Sequence, residues 1–231
     1  MDRDAAKQAA GEAAAQLVRD GMCLGLGTGS TTAYALDALG RRIREDEISV
    51  RGVPTSFGSE RRARACNIPL ASLNDAPALD LALDGADEVD HALRLIKGGG
   101  GAHAREKVVA RQAERFVVLV DPTKQVDRLG THAPLPVEVL PMAVTPVAHA
   151  LEDAGATPEL RSADAKDGPV VTDQGLWILD AYFPDGIASP DELDRRLCSR
   201  PGVLDHGLFL EATDDLLVGS PDGSVDRRSA S

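Results

Sequence analysis

Lysine is scarce in this chain. Of the 25 basic residues only Lys7, Lys97, Lys107, Lys124 and Lys166 are lysines, set against 37 acidic residues and a net charge of −12. That balance excludes a nucleic-acid partner, whose phosphates need a basic surface. An acidic protein that binds an anion must do so in a local pocket of donors, so each lysine position carries information. The acidic, lysine-poor composition fits a salty cytoplasm and a biased genome equally well. Cysteine is scarce as well. Cys23, Cys66 and Cys198 lie far apart, their number is odd and no CxxC pair exists. Neither a zinc site nor a disulfide framework is indicated, and Cys23, in an apolar run, reads as a buried small hydrophobe. No apolar run approaches the ~20 residues that span a membrane. The opening MDRDAAKQAAGEAA has no apolar core or cleavage site, so it reads as no secretory signal, and a cytoplasmic location is expected.

What is present is an alternation of strands and helices. The 231 residues suffice for one large domain or two small ones. Residues 4 to 19 place apolar groups at helical spacing, and Asp20-Gly21 is expected to end that helix. Strands are expected at 22–26, 48–53, 79–83 and 116–120, with helices near 32–44, after PTSFGSE, and at 102–115. This order means a parallel sheet with helices on its faces. After Thr131 the pattern becomes strand (136–140), helix (145–154), strand (156–161), strand (176–182), helix (from the Ser189-Pro190 start to about Ser199) and strand (207–211). That is the βαββαβ order of a ferredoxin-like α+β domain, with Trp177 in its core. The apolar segment 214–220 is expected to rejoin the first sheet, and residues from Pro221 onward read as a frayed polar tail. The expected division is residues 1–132 with 207–231, and residues 133–206.

Three loops, GTGST, DGADE and DPTK, each follow directly on an apolar strand. They therefore share the carboxyl edge of the sheet, where open α/β sheets bind ligands. GLGTGST is no dinucleotide fingerprint, because Ser30 occupies the sixth position. It is no nucleotide phosphate loop either, because it lacks lysine. A glycine turn ending in the hydroxyls of Thr28, Ser30 and Thr31 at a helix start suits one small phosphate, or helix capping alone. In DGADEVD the residues Asp84 and Asp87, nearest the strand end, read as functional. Glu88 and Asp90 read as capping and solvated. A magnesium site there is conceivable. Lys97 runs into Gly98 to Gly101, and four glycines cost much backbone entropy unless backbone must pass close to something. Glu106 follows near a helix start, where a carboxylate is favoured. His103 either faces the site or is a surface or supporting histidine. His91, His132, His149 and His206 form no ligand spacing.

Together, GLGTGST, DGADE, KGGGGAHAREK and DPTKQV, in this order and spacing, resemble the ribose-5-phosphate isomerase A family. The resemblance runs through nearly the whole chain, including PLPVEVLPM and the later GLF and PDG elements. It implies a Rossmann-like parallel-sheet domain with an inserted smaller ferredoxin-like domain, usually in a homodimer or homotetramer. The implied activity interconverts ribose 5-phosphate and ribulose 5-phosphate through an enediolate, in the non-oxidative pentose phosphate pathway, with no cofactor and no metal. By position, Glu106 matches the general base and Lys97 the residue that stabilises charge on the reacting oxygens. Asp84 and Asp87 match the acidic pair that handles hydroxyl protons and ring opening. Lys7, Thr28, Gly29, Ser30, Thr31 and Lys124 match substrate-binding positions. Gly85, Ala86, Gly98, Gly99 and Gly100 match further ones. Gly101, Ala102 and His103 depart from the Ala-Ala-Leu type of loop associated with the family, while the Lys97–Glu106 spacing is kept. The rival readings are another sugar-phosphate isomerase or deaminase on a related fold, and a non-catalytic sugar-phosphate sensor.

Overall fold

The computed structural model describes residues 2–164 and 167–230; Lys166 lies outside them. In chain order the elements are α1 (Arg3–Ala15), β1 (Cys23–Leu26), α2 (Ser30–Glu45), β2 (Arg51–Pro54), α3 (Phe57–Ala65) and β3 (Leu81–Gly85). There follow β4 (Glu88–Val89), β5 (Leu95–Ile96), α4 (His103–Gln112), β6 (Phe116–Val120), β7 (Leu135–Val139), α5 (Val144–Glu152) and β8 (Thr157–Leu160). The last are β9 (Trp177–Tyr182), α6 (Pro190–Cys198), β10 (Val203–His206), β11 (Leu208–Phe209), β12 (Asp215–Gly219) and β13 (Val225–Ser229). Packing divides the chain into two compact units, Met1–Ala86 with Arg105–Lys124 and Ala212–Ser231, and Asp87–Ala104 with Gln125–Glu211. Residues 87–104, 125–132 and 207–211 therefore fall in the second unit, outside the expected 133–206.

The first unit is built on a six-stranded sheet in the order β13-β12-β6-β3-β1-β2. Every pairing is parallel except β12 with β13. Its four central strands, β1, β3, β6 and β12, are short and almost wholly buried, as parallel strands covered by helices must be. Leu24, Leu26, Leu81, Leu83, Val117 and Leu119 form the core with Ala10 and Ala14 of α1 and Leu36 and Leu39 of α2. Truncating such a leucine to alanine costs about 2–5 kcal/mol. The alanine-rich sequence of α1 serves close packing on α2. A Cβ at Gly11 would come within 2.7 Å of the Ala35 nitrogen.

The chain leaves β1 toward β2 on one side, while β3 joins β1 on the other. The crevice at this reversal, outside the carboxyl ends of β1 and β3, is the binding place of doubly wound sheets. The expected sheet edge is thus the observed one. Two expectations for this unit fail. The first helix ends at Ala15, not near residue 19. The stretch from Pro221 is no frayed tail, since β13 pairs antiparallel along all of β12. Arg227 and Ser229 hold the buried Asp215 carboxylate at 2.9 and 2.7 Å, and Gly223, at φ 87°, makes the turn.

In the second unit a four-stranded antiparallel sheet runs β10-β7-β9-β8. Numbered within this sheet the order is 4-1-3-2, the arrangement of the split βαββαβ fold. α5 and α6 pack on it through Val147, Leu151, Leu193 and Leu197, against Leu135, Val137, Val139 and Leu179. The expected strand at 207–211 is corrected. The fourth strand is β10, and β11 leaves it for a separate three-stranded sheet with β5 and β4. The transfer happens at Gly207, whose N–H donates to the Pro136 carbonyl and whose carbonyl accepts from the Lys97 N–H. No side chain fits between those two backbones: a Cβ there would come within 2.7 Å of the Pro136 ring. Ser189 makes no side-chain cap bond to α6. Its place before Pro190 marked the helix start without supplying the cap.

Candidate active site

In the first unit, β1 delivers Gly27 and Thr28, and α2 begins at Ser30. The residue at the helix cap is Gly29, at φ 122°, and it makes no side-chain cap bond. Capping by Ser30 or Thr31, one of the two readings of this loop, is therefore not what the chain does. The first amides of α2 are left for another acceptor, which is how a helix start receives an anion. Thr28 donates its N–H to Asp84 Oδ1 at 3.0 Å, and the Gly85 N–H reaches the same oxygen at 2.8 Å. Asp84 is 3% exposed. Gly27 has to be glycine here, because a Cβ would overlap the Asp84 carboxyl group. The Thr28 hydroxyl lies 2.9 Å from that of Thr55 and 2.7 Å from that of Ser56. Both partners are buried at the end of β2.

At the end of β6, Asp121 is 1% exposed. It accepts from the Thr123 N–H at 2.9 Å and hydroxyl at 2.5 Å, and Arg3 lies 3.5 Å from its other oxygen. Burial pulls the Asp121 carboxyl up. The Thr123 bonds, with Arg3 and Lys124 nearby, outweigh it and hold the group below its ordinary value. Its carbonyl takes the Lys124 N–H at 3.1 Å. Arg3 so ties the first turn of α1 to the loop carrying Lys124. Lys7 follows one turn along α1, largely buried and 3.5 Å from Asp4. Glu106 stands in the first turn of α4, 5% exposed. The sequence reading missed Asp121, Thr55 and Ser56. The signal for all three was a polar residue directly after a buried strand.

In the second unit, Asp87 is pinned by the Gly99 N–H on Oδ2 at 2.7 Å. Lys97 is 2% exposed, its ammonium 5.6 Å from the centre of the Phe209 ring. A buried ammonium is costly unless it is paired, and a fixed cation is what a developing oxyanion needs. Gly98 takes φ 102°, and its Cα packs against the His103 ring, which a Cβ would approach to 2.6 Å. His103 is fully buried, so the surface reading of it is wrong. It backs the glycine turn, which closes with the Gly101 N–H on the Gly98 carbonyl. The Gly98 and Gly99 carbonyls both accept from Arg161, at 3.0 and 3.1 Å.

Two acidic residues are corrected. Glu88 is no solvated group: it is fully buried and accepts the Gly130, His132 and Ala133 N–H groups at 2.5–2.7 Å. Asp90, 5% exposed, binds Arg94 and the Ala92 and Arg94 amides. Its oxygens are thus engaged, which disfavours the conceivable magnesium site. Among the described residues, one group with metal-ligand spacing does form, Asp194, Cys198 and His206. The sequence did not show it, because helix α6 and strand β10 bring it together. The Leu208 N–H donates to His206 Nδ1 at 3.3 Å. That leaves the proton on Nε2, facing Cys198 at 3.4 Å and Asp194 at 3.5 Å as a donor.

The chain matches the sequence profile of ribose 5-phosphate isomerase A (phosphoriboisomerase A) over residues 51–223. It is 54% identical to a ribose-5-phosphate isomerase A of Haloarcula marismortui over 220 residues, 95% of this chain and 94% of the relative. It is 53% identical to that of Thermosynechococcus vestitus over 214 residues, 92% of this chain and 90% of the relative. The structure of ribose 5-phosphate isomerase A from Methanocaldococcus jannaschii superimposes with TM-score 0.92 at 44% identity, covering 96% of this chain and 97% of that one. A D-ribose-5-phosphate isomerase in complex with phospho-erythronic acid gives TM-score 0.95 at 42% identity, covering 99% and 100%. This chain belongs to the ribose 5-phosphate isomerase A family.

Proposed function

We propose that this protein interconverts D-ribose 5-phosphate and D-ribulose 5-phosphate by proton transfer through an enediolate. The observation that carries the proposal is the family match over residues 51–223, which spans Asp84, Asp87, Lys97, Glu106 and Lys124. A close structural relative binds a phosphorylated sugar acid.

Each residue has chemistry that fits a step. Glu106 takes the proton from C2 of the open-chain aldose, and the electron pair moves onto the C1 carbonyl oxygen as the enediolate forms. Lys97 and the glycine-loop amides stabilise that charge. Asp84 and Asp87 move the hydroxyl protons between O1, O2 and the ring oxygen. Protonated Glu106 then returns its proton to C1, which completes the ketose. A positioned base contributes typically ~10²–10⁴-fold. The phosphate is taken by the loop Thr28 to Thr31 with Lys124 and Lys7, the sugar by Gly85, Ala86 and Gly98 to Gly100. The redox balance is internal to the sugar, so the reaction requires no cofactor.

The reading extends to a homodimer or homotetramer acting in the cytoplasm within the pentose phosphate pathway. Among the described residues no helix is long and apolar enough to cross a membrane. The test is incubation with ribose 5-phosphate in D₂O. Ribulose 5-phosphate carrying solvent deuterium on carbon supports the proposal, and an inert sugar phosphate contradicts it.

A further inference from the structure

The peptide plane between Gly98 and Gly99 is held from both sides. Its carbonyl accepts from Arg161 at 3.0 Å, and its N–H donates to Asp87 Oδ2 at 2.7 Å. In a trans peptide these groups point in opposite directions, and no cis bond occurs among the described residues. The next plane is set in the same way. The Gly99 carbonyl accepts from Arg161 at 3.1 Å, so the Gly100 N–H must point away from Arg161. Glycines do not hold such planes by themselves, since their backbone is the least restricted of any residue.

Arg161 is in turn fixed. Its Nε and a terminal nitrogen bind both oxygens of Asp180, at 2.7 and 2.5 Å. The pair is mostly buried, with side chains 15% and 11% exposed. The third nitrogen is left for the two glycine carbonyls. A planar fork holds the carboxylate along one edge and leaves its third nitrogen for the two carbonyls, a geometry that an ammonium on a flexible stem does not preset.

We propose that Arg161, anchored by Asp180, is a positioning residue for the isomerisation. It turns the Gly99 N–H onto Asp87 and the Gly100 N–H away from itself as a preset donor for the substrate. The kinetic part of this proposal rests on the isomerase reading above; the structural part does not.

The test uses Arg161→Lys and Arg161→Ala in the full chain, with thermal unfolding as the folding control. For Arg161→Lys, which keeps the charge beside Asp180, kcat should fall about 10²-fold, the scale of a small misplacement of catalytic groups. KM for ribose 5-phosphate should rise by a smaller factor than kcat falls, because the phosphate-binding loops are untouched and only the contacts of the glycine loop shift. Without substrate, the Gly99 amide proton should move upfield in the NMR spectrum and exchange faster as its bond to Asp87 loosens. A folded Arg161→Lys protein with an unmoved Gly99 amide would overturn the proposal whatever its activity. So would a variant whose loss lies wholly in KM. If the wild-type protein does not isomerise ribose 5-phosphate, the functional reading fails, and the Gly99 amide still decides the role of Arg161.

Discussion

Thr28 reaches Asp84 through its backbone N–H, at 3.0 Å, and not through its hydroxyl. The hydroxyl is turned to Thr55 and Ser56 at the end of the neighbouring strand. The loop after β1 thus fixes the carboxylate at the end of β3, and glycine at position 27 allows the approach.

Gly27→Ala is the sharpest test of that relationship. The added methyl group overlaps the Asp84 carboxyl group, so Asp84 must move. Overpacking costs about 1–3 kcal/mol of stability, and kcat should fall about 10²-fold or more. Steady-state kinetics with a melting curve measures both. A folded variant with wild-type kcat would show that the position of Asp84 is unimportant.

Lys124→Ala should act mainly on binding. The loop of Lys124 lies at the same sheet edge as GTGST, and a charge-assisted bond is worth roughly 1.5–3 kcal/mol. KM should rise roughly ten- to hundredfold, with kcat much less affected. Unchanged affinity for ribose 5-phosphate would remove Lys124 from the phosphate site.

The carboxyl edge of the sheet was legible in the sequence because buried parallel strands are short apolar runs, and whatever follows them lies on one side. Gly27, Asp84 and Lys124 were placed by that rule alone. Arg161 was not, because its partners Gly98 and Gly99 are some sixty residues away and nothing local marks it. Glu88 was misread for the same reason, since its three amides come from Gly130, His132 and Ala133. Asp90 was misread although its partners, Ala92 and Arg94, are local. β13 carries no apolar alternation, being an exposed edge strand, although Pro221-Asp222-Gly223 was a turn signal.

Asp215 links that edge strand to pH. Burial pulls its carboxyl up, but Ser229, Arg227 and Arg115 more than compensate and hold it below the ordinary value. A depressed carboxyl contributes stability above its unfolded value, and that contribution is lost as pH falls through the folded one. Asp215→Asn should cost about 1–2 kcal/mol at pH 7, a figure kept small because Arg227 is half exposed. The cost should shrink as pH drops below about 4. Urea unfolding at pH 7 and pH 3 measures it; a cost that does not vary with pH contradicts the assignment.

Activity should survive exhaustive chelation, because proton transfer between neighbouring carbons needs no Lewis acid when Lys97 and amide donors are in place. Loss of turnover on chelation, restored by one divalent metal, would revive a carboxylate metal site.

The most direct test of the whole account is Glu106→Gln assayed in D₂O. Glutamine keeps the size and one carbonyl oxygen, so fold and docking should persist, but it cannot accept a proton from carbon. Turnover and exchange of the C2 hydrogen with solvent should fall together by at least ~10²-fold, with KM changed far less. Wild-type turnover and exchange in this variant would contradict the account and give the base to another group, with Asp84 the next candidate.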